Sequence, residues 1–464
     1  MVTVWRRNLS YWNSLFFVFL LSFSCSQPKS IAQVKAVGHR IYVDGKPFSI
    51  AADTGWAILN RISYEEADYY LNVRQSQGFN TILADIIPGR YERNYYGNSP
   101  FIDRDLTRPN EAYWRHVDRL VQNMARRGLL VMFKTATLCC DWGKGNELNP
   151  TSARAYGQFL GKRYGKYNIV WIHCGDRNPD DKQAATIALI AGIRAVAPQQ
   201  LHSCHPQAPN SAADILPQGF VDLNLTYTYR PEKTDAGLPQ YHVYSKSQRD
   251  FERSPVLPFF LGESQYESPY GDIPTQMVRR QAYWSILSGS TGHAYGHYLS
   301  CINTSVLQDV LRSRGDRPNF KNVLHLRWQD ILTAKGAEDM RHVKSVFTSR
   351  NWVDLVPDRS HRWVVGGYGT HNTSTRSGGD DYVTAAYTPD AQLLMAYVPT
   401  GNAIAVDLRR FPGEVEVKWF DPTNGSYSSV GKFSNRNVRQ FTVPGANGDG
   451  DRDWVFIASS KPRS

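Results

Sequence analysis

Between residues 48 and 295, short apolar runs alternate with longer segments whose apolar residues recur at helical spacing. The apolar runs predict eight strands, at 48–52, 79–87, 129–133, 169–172, 201–204, 221–227, 258–261 and 292–295. Ser63 and Glu66 form a capping-box signature before the first helical segment. Eight strand–helix units with nearly continuous apolar strands predict an α/β fold, a (β/α)8 TIM barrel.

A doubly wound open sheet is the alternative arrangement of such units. It requires a glycine-rich phosphate-binding turn after the first strand. The turn here is Asp53-Thr54-Gly55-Trp56, which lacks that pattern. The barrel is therefore favoured.

The segments that flank the barrel have a different pattern of apolar and polar residues. Residues 30–47 predict a hairpin with an Asp44-Gly45 turn that covers the barrel floor. From residue 355, short alternating segments separated by Gly, Pro and Asn predict a small antiparallel β-sandwich. We therefore expect a barrel domain over 33–350, which includes the hairpin and a C-terminal helical linker, and a sandwich domain over 355–460.

Residues 1–25 have the organisation of a signal peptide. Arg6 and Arg7 precede the apolar run 15–23, which is shorter than the roughly 20 residues that a membrane-spanning helix needs. We expect export to the periplasm, the outer membrane or the cell exterior. Cys25 leaves a lipid anchor and plain secretion as open alternatives.

The basic balance of the chain bears on its partners. Removal of Arg6 and Arg7 lowers the net charge from +11 to +9, and the remaining Lys and Arg residues form no basic run. Nucleic acid is therefore not expected as a partner. We expect a carbohydrate partner, with an acidic pectin-type polysaccharide as one option, and membrane contact only through Cys25. The 12 Trp and 26 Tyr residues offer the flat faces that carbohydrate sites use.

Five cysteines remain besides Cys25, and their odd number argues against a disulfide scaffold. The pair His173-Cys174 and the run 202–205 suggest zinc, but no CxxC or HExxH spacing accompanies them. We expect buried free thiols, no metal site and no cofactor.

In a TIM barrel the reacting groups lie where the strands end and the following loops begin. The polar and aromatic residues predicted there as substrate-binding are Asp53, Trp56, Asp85, Asp141, Trp142, Asn178, His205, Tyr227, Tyr266, His293 and Tyr295. The aromatic rings could stack on sugar faces or belong to the core. For His293 and Tyr295 a hydrogen-bonded core cluster is an equal alternative.

Asp176 and Glu263 follow the fourth and seventh predicted strands, whose ends face each other across a barrel mouth. Acetal cleavage needs a proton donor and a second carboxylate, which this pair would supply. The role requires a raised pKa for Asp176. Glu267 competes with Glu263, and either carboxylate could instead cap a helix or pair with Arg.

Four segments in barrel order carry a family resemblance: 53–56, 170–179 (VWIHCGDRNP), 258–268 (PFFLGESQYES) and 292–297 (GHAYGH). They resemble the apiosidase-like glycoside hydrolases. Residues 419–425 and 453–456 resemble the β-domain, named for collagen binding, that follows this barrel. Together the resemblance covers about 33–460.

The resemblance implies a retaining glycosidase that acts on side chains of plant cell-wall or other complex polysaccharides. It implies Asp176 as general acid/base and Glu263 as nucleophile. His173-Cys174 stands where Leu-Gly is usual, and Gly55 where Ala is common, so the substrate need not be apiose. A non-catalytic glycan- or matrix-binding protein on the same barrel is the alternative. An esterase or metallohydrolase is disfavoured, because no GxSxG or metal-ligand spacing occurs.

Overall fold

The structure is a computed structural model of the chain, and it describes residues 33–87, 93–136, 138, 146–229, 242–267, 273–297, 327–372 and 379–461. The predicted signal segment with Cys25 lies outside the described residues, as do Asp141 and Trp142. Within the described ranges, no helix is both long enough and apolar enough to cross a bilayer.

A three-stranded antiparallel sheet precedes the barrel and consists of β1 (Val34–Val37), β2 (Arg40–Val43) and β3 (Lys46–Phe48). Asp44 and Gly45 connect β2 to β3 with positive φ angles of 50° and 76°, as a tight hairpin turn requires. The buried guanidinium of Arg40 donates to the carbonyl oxygens of Gly289 (2.8 Å) and Leu355 (3.0 Å). These bonds fix the sheet beside the amino end of a barrel strand.

The barrel is an eight-stranded parallel sheet in the order β8-β7-β6-β5-β4-β11-β10-β9. Its strands are β4 (Ile50–Thr54), β5 (Thr81–Asp85), β6 (Leu130–Lys134), β7 (Ile169–Cys174), β8 (Leu201–His205), β9 (Asn224–Tyr227), β10 (Phe259–Glu263) and β11 (Gly292–Tyr295). The two ends of the sheet meet where the amides of Asp222 and Leu223 donate to the carbonyl oxygen of His202, at 2.8 and 3.2 Å. The predicted TIM barrel is thereby confirmed.

The helices that cover the barrel and connect it to the C-terminal domain are α1 (Tyr64–Ser76), α2 (Glu111–Arg126), α3 (Pro150–Tyr164), α4 (Gln183–Arg194), α5 (Ala212–Ile215), α6 (Val243–Phe251), α7 (Thr275–Leu287) and α8 (Lys335–Thr348). The predicted capping box starts α1: Ser63 Oγ accepts from the Glu66 amide, and Glu66 Oε2 accepts from the Ser63 amide.

The C-terminal strands form two antiparallel sheets, and the predicted antiparallel β-domain is confirmed. The first has the order β12-β14-β15-β20-β17-β18 and the second β13-β16-β19. Their bounds are β12 (Val356–Pro357), β13 (Val364–Gly366), β14 (Thr384–Tyr387), β15 (Leu393–Val398), β16 (Ile404–Asp407), β17 (Val415–Phe420), β18 (Tyr427–Phe433), β19 (Val438–Phe441) and β20 (Trp454–Ser460).

Strand β15 is apolar and buried along its whole length, unlike a sandwich strand with one solvent-facing side. One set of its side chains, such as Leu394, packs with Val406 between the two sheets. The other set, such as Met395, packs against barrel-side residues that include Tyr283 of α7. The larger sheet is therefore covered on both faces, and the sandwich is continuous with the barrel.

A buried ion cluster strengthens this junction. Arg279 of α7 is fully buried and donates to Asp339 of α8 (2.7 Å) and to Asp453 beside β20 (2.9 Å). Asp451 accepts a further bond at 2.8 Å. The Arg279 guanidinium thus joins the barrel helix α7, the linker helix α8 and the β-domain.

The cysteines correct one prediction. Cys174 at the end of β7 and Cys204 of β8 form a disulfide, whereas free buried thiols were expected. The odd number of cysteines hid the pair, because its partners are 30 residues apart in sequence and become neighbours only through parallel pairing of β7 with β8.

Candidate active site

The turn after β7 brings Asp176 into the barrel mouth. Cys174, Gly175 and Asp176 all have left-handed backbone conformations, with φ of 74°, 79° and 56°. Gly adopts this region freely, and Asp does so more readily than most residues, but Cys does not. The Gly175 amide donates to the His205 carbonyl oxygen at 2.9 Å, so the turn stays attached to β8.

His205 at the end of β8 lies between the two predicted catalytic carboxylates. Its Nε2 is 2.6 Å from Glu263 Oε2, and its Nδ1 is 3.2 Å from Asp176 Oδ1. One donor atom from each of the three residues lies within 4.8 Å of the others. His205 is fully buried, whereas the side chain of Asp176 is 41% exposed and faces the opening. The imidazole therefore joins a solvent-facing carboxylate to a buried one.

Lys134 is a further member of the site that the sequence reasoning missed. It ends β6, is 4% exposed and pairs with Asp85 at 3.1 Å. Its ammonium lies 4.3 Å from the centre of the Trp56 ring. The sequence offered one signal for Lys134: it is a charged residue that directly follows the apolar run 129–133, where a barrel strand ends. Asp85 is thus placed beside the two carboxylates as the partner of a buried cation.

The electrostatics of the mouth correct the expected protonation of Asp176. Burial alone would raise the pKa of Asp176, but Lys134, His205 and the Tyr227 hydroxyl together hold it below its ordinary value. Burial would lower the pKa of His205, but Glu263 and Asp176 raise it to about 9. The proton of this cluster therefore sits on the imidazole, and the raised pKa required of Asp176 is not found.

Aromatic side chains form one wall of the site. The Tyr227 hydroxyl donates to Asp176 Oδ1 at 3.3 Å, and Trp56 Nε1 donates to the Tyr266 hydroxyl at 2.8 Å. Tyr266 needs Gly296 beside it, because a Cβ at that position would lie 2.1 Å from the tyrosine ring. Trp56, Tyr227 and Tyr266 thus lie beside the carboxylates, and their role in substrate binding stays a prediction.

Four other predicted site residues take different positions. Asp53 is fully buried and pairs with Arg74 at 2.9 Å, and Tyr295 donates to Glu267 at 2.5 Å. His293 is buried with Nε2 2.9 Å from Met340 Sδ. Asn178 accepts from the Gln207 amide and from Asn210 at the rim. Because the first three are engaged in the interior, we leave them out of the proposed substrate site.

Glu267 has a positioning task of its own. Its Oε1 accepts from the Gly336 amide at 3.0 Å, in the first turn of α8, and its Oε2 accepts from Tyr295. A carboxylate at a helix N-terminus satisfies amides that have no partner within the helix. The structure thus distinguishes Glu263, beside His205, from Glu267, which ties the barrel to the linker helix.

Among the described residues, Asp176, His205 and Glu263 are the one cluster whose donor atoms are close enough to surround a metal ion. Both ring nitrogens of His205 already contact the carboxylates. The buried ammonium of Lys134 adds a positive charge to the same field. Burial would lower its pKa, but Asp85 and, to a smaller extent, Asp176 and Glu263 raise it. These residues are thus paired with one another through hydrogen bonds and opposite charges.

A comparison with protein-family models matches residues 38–354 to "Apiosidase-like, catalytic domain". The chain belongs to the apiosidase-like family. Residues 372–459 of this apiosidase-like protein match "Putative collagen-binding domain of a collagenase". No curated protein matches the sequence.

Solved structures show the same architecture. A structure titled "Glycoside hydrolase" is 25% identical to this apiosidase-like chain, with a TM-score of 0.79 over 94% of this chain and 98% of that one. A glycoside hydrolase family 5 protein from Bacteroides vulgatus ATCC 8482 is 24% identical, with a TM-score of 0.78 over 92% and 93% of the two chains. The chain thus has a glycoside-hydrolase fold across both its barrel and its β-domain.

Proposed function

We propose that the protein is a retaining glycoside hydrolase in which Glu263 is the nucleophile and Asp176 the general acid/base. The observation that carries the proposal is the spacing of the two carboxylates, which have oxygen atoms within 4.8 Å of each other at the barrel mouth. Retaining enzymes hold their carboxyl groups about 5–5.5 Å apart, whereas inverting enzymes need about 6.5–9.5 Å to admit a water.

The reaction has two steps. Glu263 attacks the anomeric carbon and forms a glycosyl ester, while Asp176 donates a proton to the leaving oxygen as the glycosidic bond breaks. Asp176 then takes a proton from water, which displaces Glu263 and releases the sugar. Trp56 and Tyr227 supply ring faces and hydroxyl contacts beside the reacting carbon.

The proton for the first step comes from His205. Transfer from His205 Nδ1 to Asp176 Oδ1, which are 3.2 Å apart, gives a protonated Asp176 and a neutral imidazole that still donates to Glu263. The Asp176 amide also lies 3.2 Å from Nδ1 and can donate to it once the proton has left. Because Nδ1 has a partner in both states, Asp176 and His205 titrate as a coupled pair that holds one shared proton.

The substrate class follows from the surroundings of the site and from the whole chain. The aromatic wall suits a sugar ring, and the net charge of +9 that remains after loss of Arg6 and Arg7 favours approach to acidic polymers. We therefore propose side chains of pectin-type or other plant cell-wall polysaccharides as substrates. The signal-like residues 1–25 support export, with lipid attachment at Cys25 as one route to the membrane surface.

A glycan screen with analysis of the product anomer tests the proposal. Wild type should release sugar whose first-formed anomer matches that of the substrate. Asp176→Asn and Glu263→Gln should each lower kcat at least about 1,000-fold, while cooperative unfolding shows that both variants still fold. Inverted product, or full activity in Glu263→Gln, would refute the assignment.

Glu267→Gln is the matched control, because an amide oxygen can still accept from the Gly336 amide. Its kcat should stay within a few-fold of wild type. A wild-type protein that binds polysaccharide saturably but releases no reducing ends would instead establish the non-catalytic binding role.

A further inference from the structure

We propose that the Cys174–Cys204 disulfide is a positioning element that holds Asp176 against His205 by keeping Cys174 in its left-handed turn. The inference rests on the proposed function, because it concerns the same carboxylate and imidazole. The disulfide joins two barrel strands and takes no part in the proposed hydrolysis steps, so a positioning role would be a separate function.

Both cysteines are close in sequence to residues of the proposed active site. Cys204 directly precedes His205 in β8, and Cys174 lies two residues before Asp176. Parallel pairing places Cys174 opposite His205. The cross-link therefore joins the two backbone segments that carry Asp176 and His205, at the point where β7 ends.

The disulfide lies on the side of β8 opposite to the carboxylates. Successive side chains of a strand point to opposite faces, so Cys204 points away from the face on which His205 meets the carboxylates. Cys204 is fully buried and Cys174 is 2% exposed, and both pack in the apolar cluster of the barrel. A substrate at the mouth would not touch either sulfur, which leaves a positioning role.

The backbone at Cys174 explains why such a restraint is useful. Its φ of 74° is unfavourable for a side chain with a Cβ, and the Gly175 amide donates to the His173 carbonyl oxygen two residues back at 3.2 Å. These features describe a γ-turn of the strained kind. Relaxation of Cys174 to an extended conformation would turn the chain before Asp176 reaches His205.

Backbone hydrogen bonds also hold the turn at Cys174, so loss of the disulfide should lower the activity without abolishing it. The Leu138 amide donates to the Cys174 carbonyl oxygen at 2.7 Å, and the Gly175 amide donates to the His205 carbonyl oxygen at 2.9 Å. Misplacement of a catalytic group by about 1 Å can cost on the order of 100-fold in rate. We expect a fall in kcat between about 10-fold and 100-fold.

Two double variants separate the cross-link from the strain that it restrains. Cys174→Ser/Cys204→Ser removes the disulfide and leaves a side chain at the left-handed position. Cys174→Gly/Cys204→Ser removes the disulfide but supplies the residue that adopts φ of 74° without strain. The serine variant should show the lowered kcat with KM within about two-fold, and the glycine variant should recover most of it.

The titration of His205, followed by NMR of its imidazole nitrogens, provides a readout that needs no substrate. Its pKa of about 9 depends on contact with Asp176 and Glu263. It should fall in the serine variant and return in the glycine variant. Wild type that is unfolded and refolded in dithiothreitol, with both thiols shown to be free, should behave as the serine variant, and it replaces that variant if the latter does not fold.

Two results would overturn the proposal: a folded, disulfide-free protein whose kcat and His205 titration match wild type, or a glycine variant as impaired as the serine variant. If wild type cleaves no glycan, the proposed function fails, and the His205 titration still decides whether the disulfide positions the site.

Discussion

His205 Nε2 lies 2.6 Å from Glu263 Oε2 inside the barrel, while Nδ1 of the same ring lies 3.2 Å from Asp176 Oδ1. A fully buried imidazole between two carboxylates keeps its proton, because its neutral form would leave two negative charges facing each other. In the proposed mechanism, His205 therefore holds the proton and passes it to the neighbouring Asp176, which delivers it to the substrate.

Replacement of His205 tests that storage. His205→Gln can still donate a hydrogen bond to Glu263 but carries no proton for Asp176. We expect kcat to fall about 100-fold with a small change in KM, since general acid catalysis contributes roughly 100- to 10,000-fold. Steady-state kinetics on the best substrate of the glycan screen measures both values.

The half-buried His342, on α8, provides a matched control. His342→Gln should keep kcat within about two-fold of wild type. If His205→Gln has the kcat and the pH profile of wild type, the proton does not come from His205.

The pH dependence of stability follows from the same imidazole. Its folded pKa of about 9 lies above the unfolded value of about 6.5. Its contribution is fully present below about pH 6.5 and is lost as the pH rises through 9, and it is worth up to about 3 kcal/mol. Unfolding free energies from urea titrations at pH 6.5, 8 and 9.5 should decline, and the decline should flatten in His205→Gln.

Other histidines act in the opposite direction at low pH. Burial lowers the pKa of His173 to about 3 and that of His293 to about 4. The unfolded chain therefore binds protons that the folded chain does not, and stability should fall as the pH drops below about 6.5. A urea series from pH 6.5 to 4.5 checks this. Constant unfolding free energy over that interval would contradict burial of these rings in the neutral form.

The sequence predicted the barrel well because its strands are buried on both faces. Runs such as 169–172 are apolar throughout, and the structure extends that strand only to Cys174. β18, in contrast, was missed. Its residues are mostly exposed and include Ser428, Ser429 and Gly431, so it is held as an edge strand by pairing with β17 rather than by its own pattern.

The sequence predicted three residues that the structure brings together, but not their charge state. The rule that strand ends carry the chemistry located Asp176, His205 and Glu263. It could not reveal that Lys134 faces them, because that depends on how strands distant in sequence are arranged around the mouth. For the same reason, burial of Asp53 against Arg74 of α1 was not foreseen.

The pair Lys134–Asp85 allows a test of charge balance at the mouth. Lys134→Met leaves Asp85 and the two carboxylates proposed to be catalytic without their buried cation, which should lower the free energy of unfolding by about 3–5 kcal/mol. It should also raise the pKa of Asp176, because Lys134 is the largest of the influences that lower it. Urea titration measures the first effect, and the alkaline limb of kcat/KM against pH measures the second, because the general acid must be protonated to act.

The control is the double variant Lys134→Met/Asp85→Asn, which removes both members of the 3.1 Å pair. It should be more stable than Lys134→Met alone, because fewer uncompensated charges remain buried. Equal stability of the single and double variants would mean that the ion pair is not coupled in the folded protein.

Arg279 provides the sharpest test of how the β-domain is attached. Its guanidinium and the carboxylates of Asp339 and Asp453 are all fully buried, so each group depends on the others for compensation. Arg279→Met should lower the free energy of unfolding by about 3–5 kcal/mol, because it leaves buried carboxylates without a compensating positive charge.

Arg108, in an exposed pair with Asp103, is the control, and Arg108→Met should lower the free energy of unfolding by less than about 1 kcal/mol. Urea unfolding followed by tryptophan fluorescence reports on both domains, because Trp284 lies on α7 and Trp454 on β20. Equal losses in the two variants would show that the buried ion cluster does not stabilise the attachment of the β-domain.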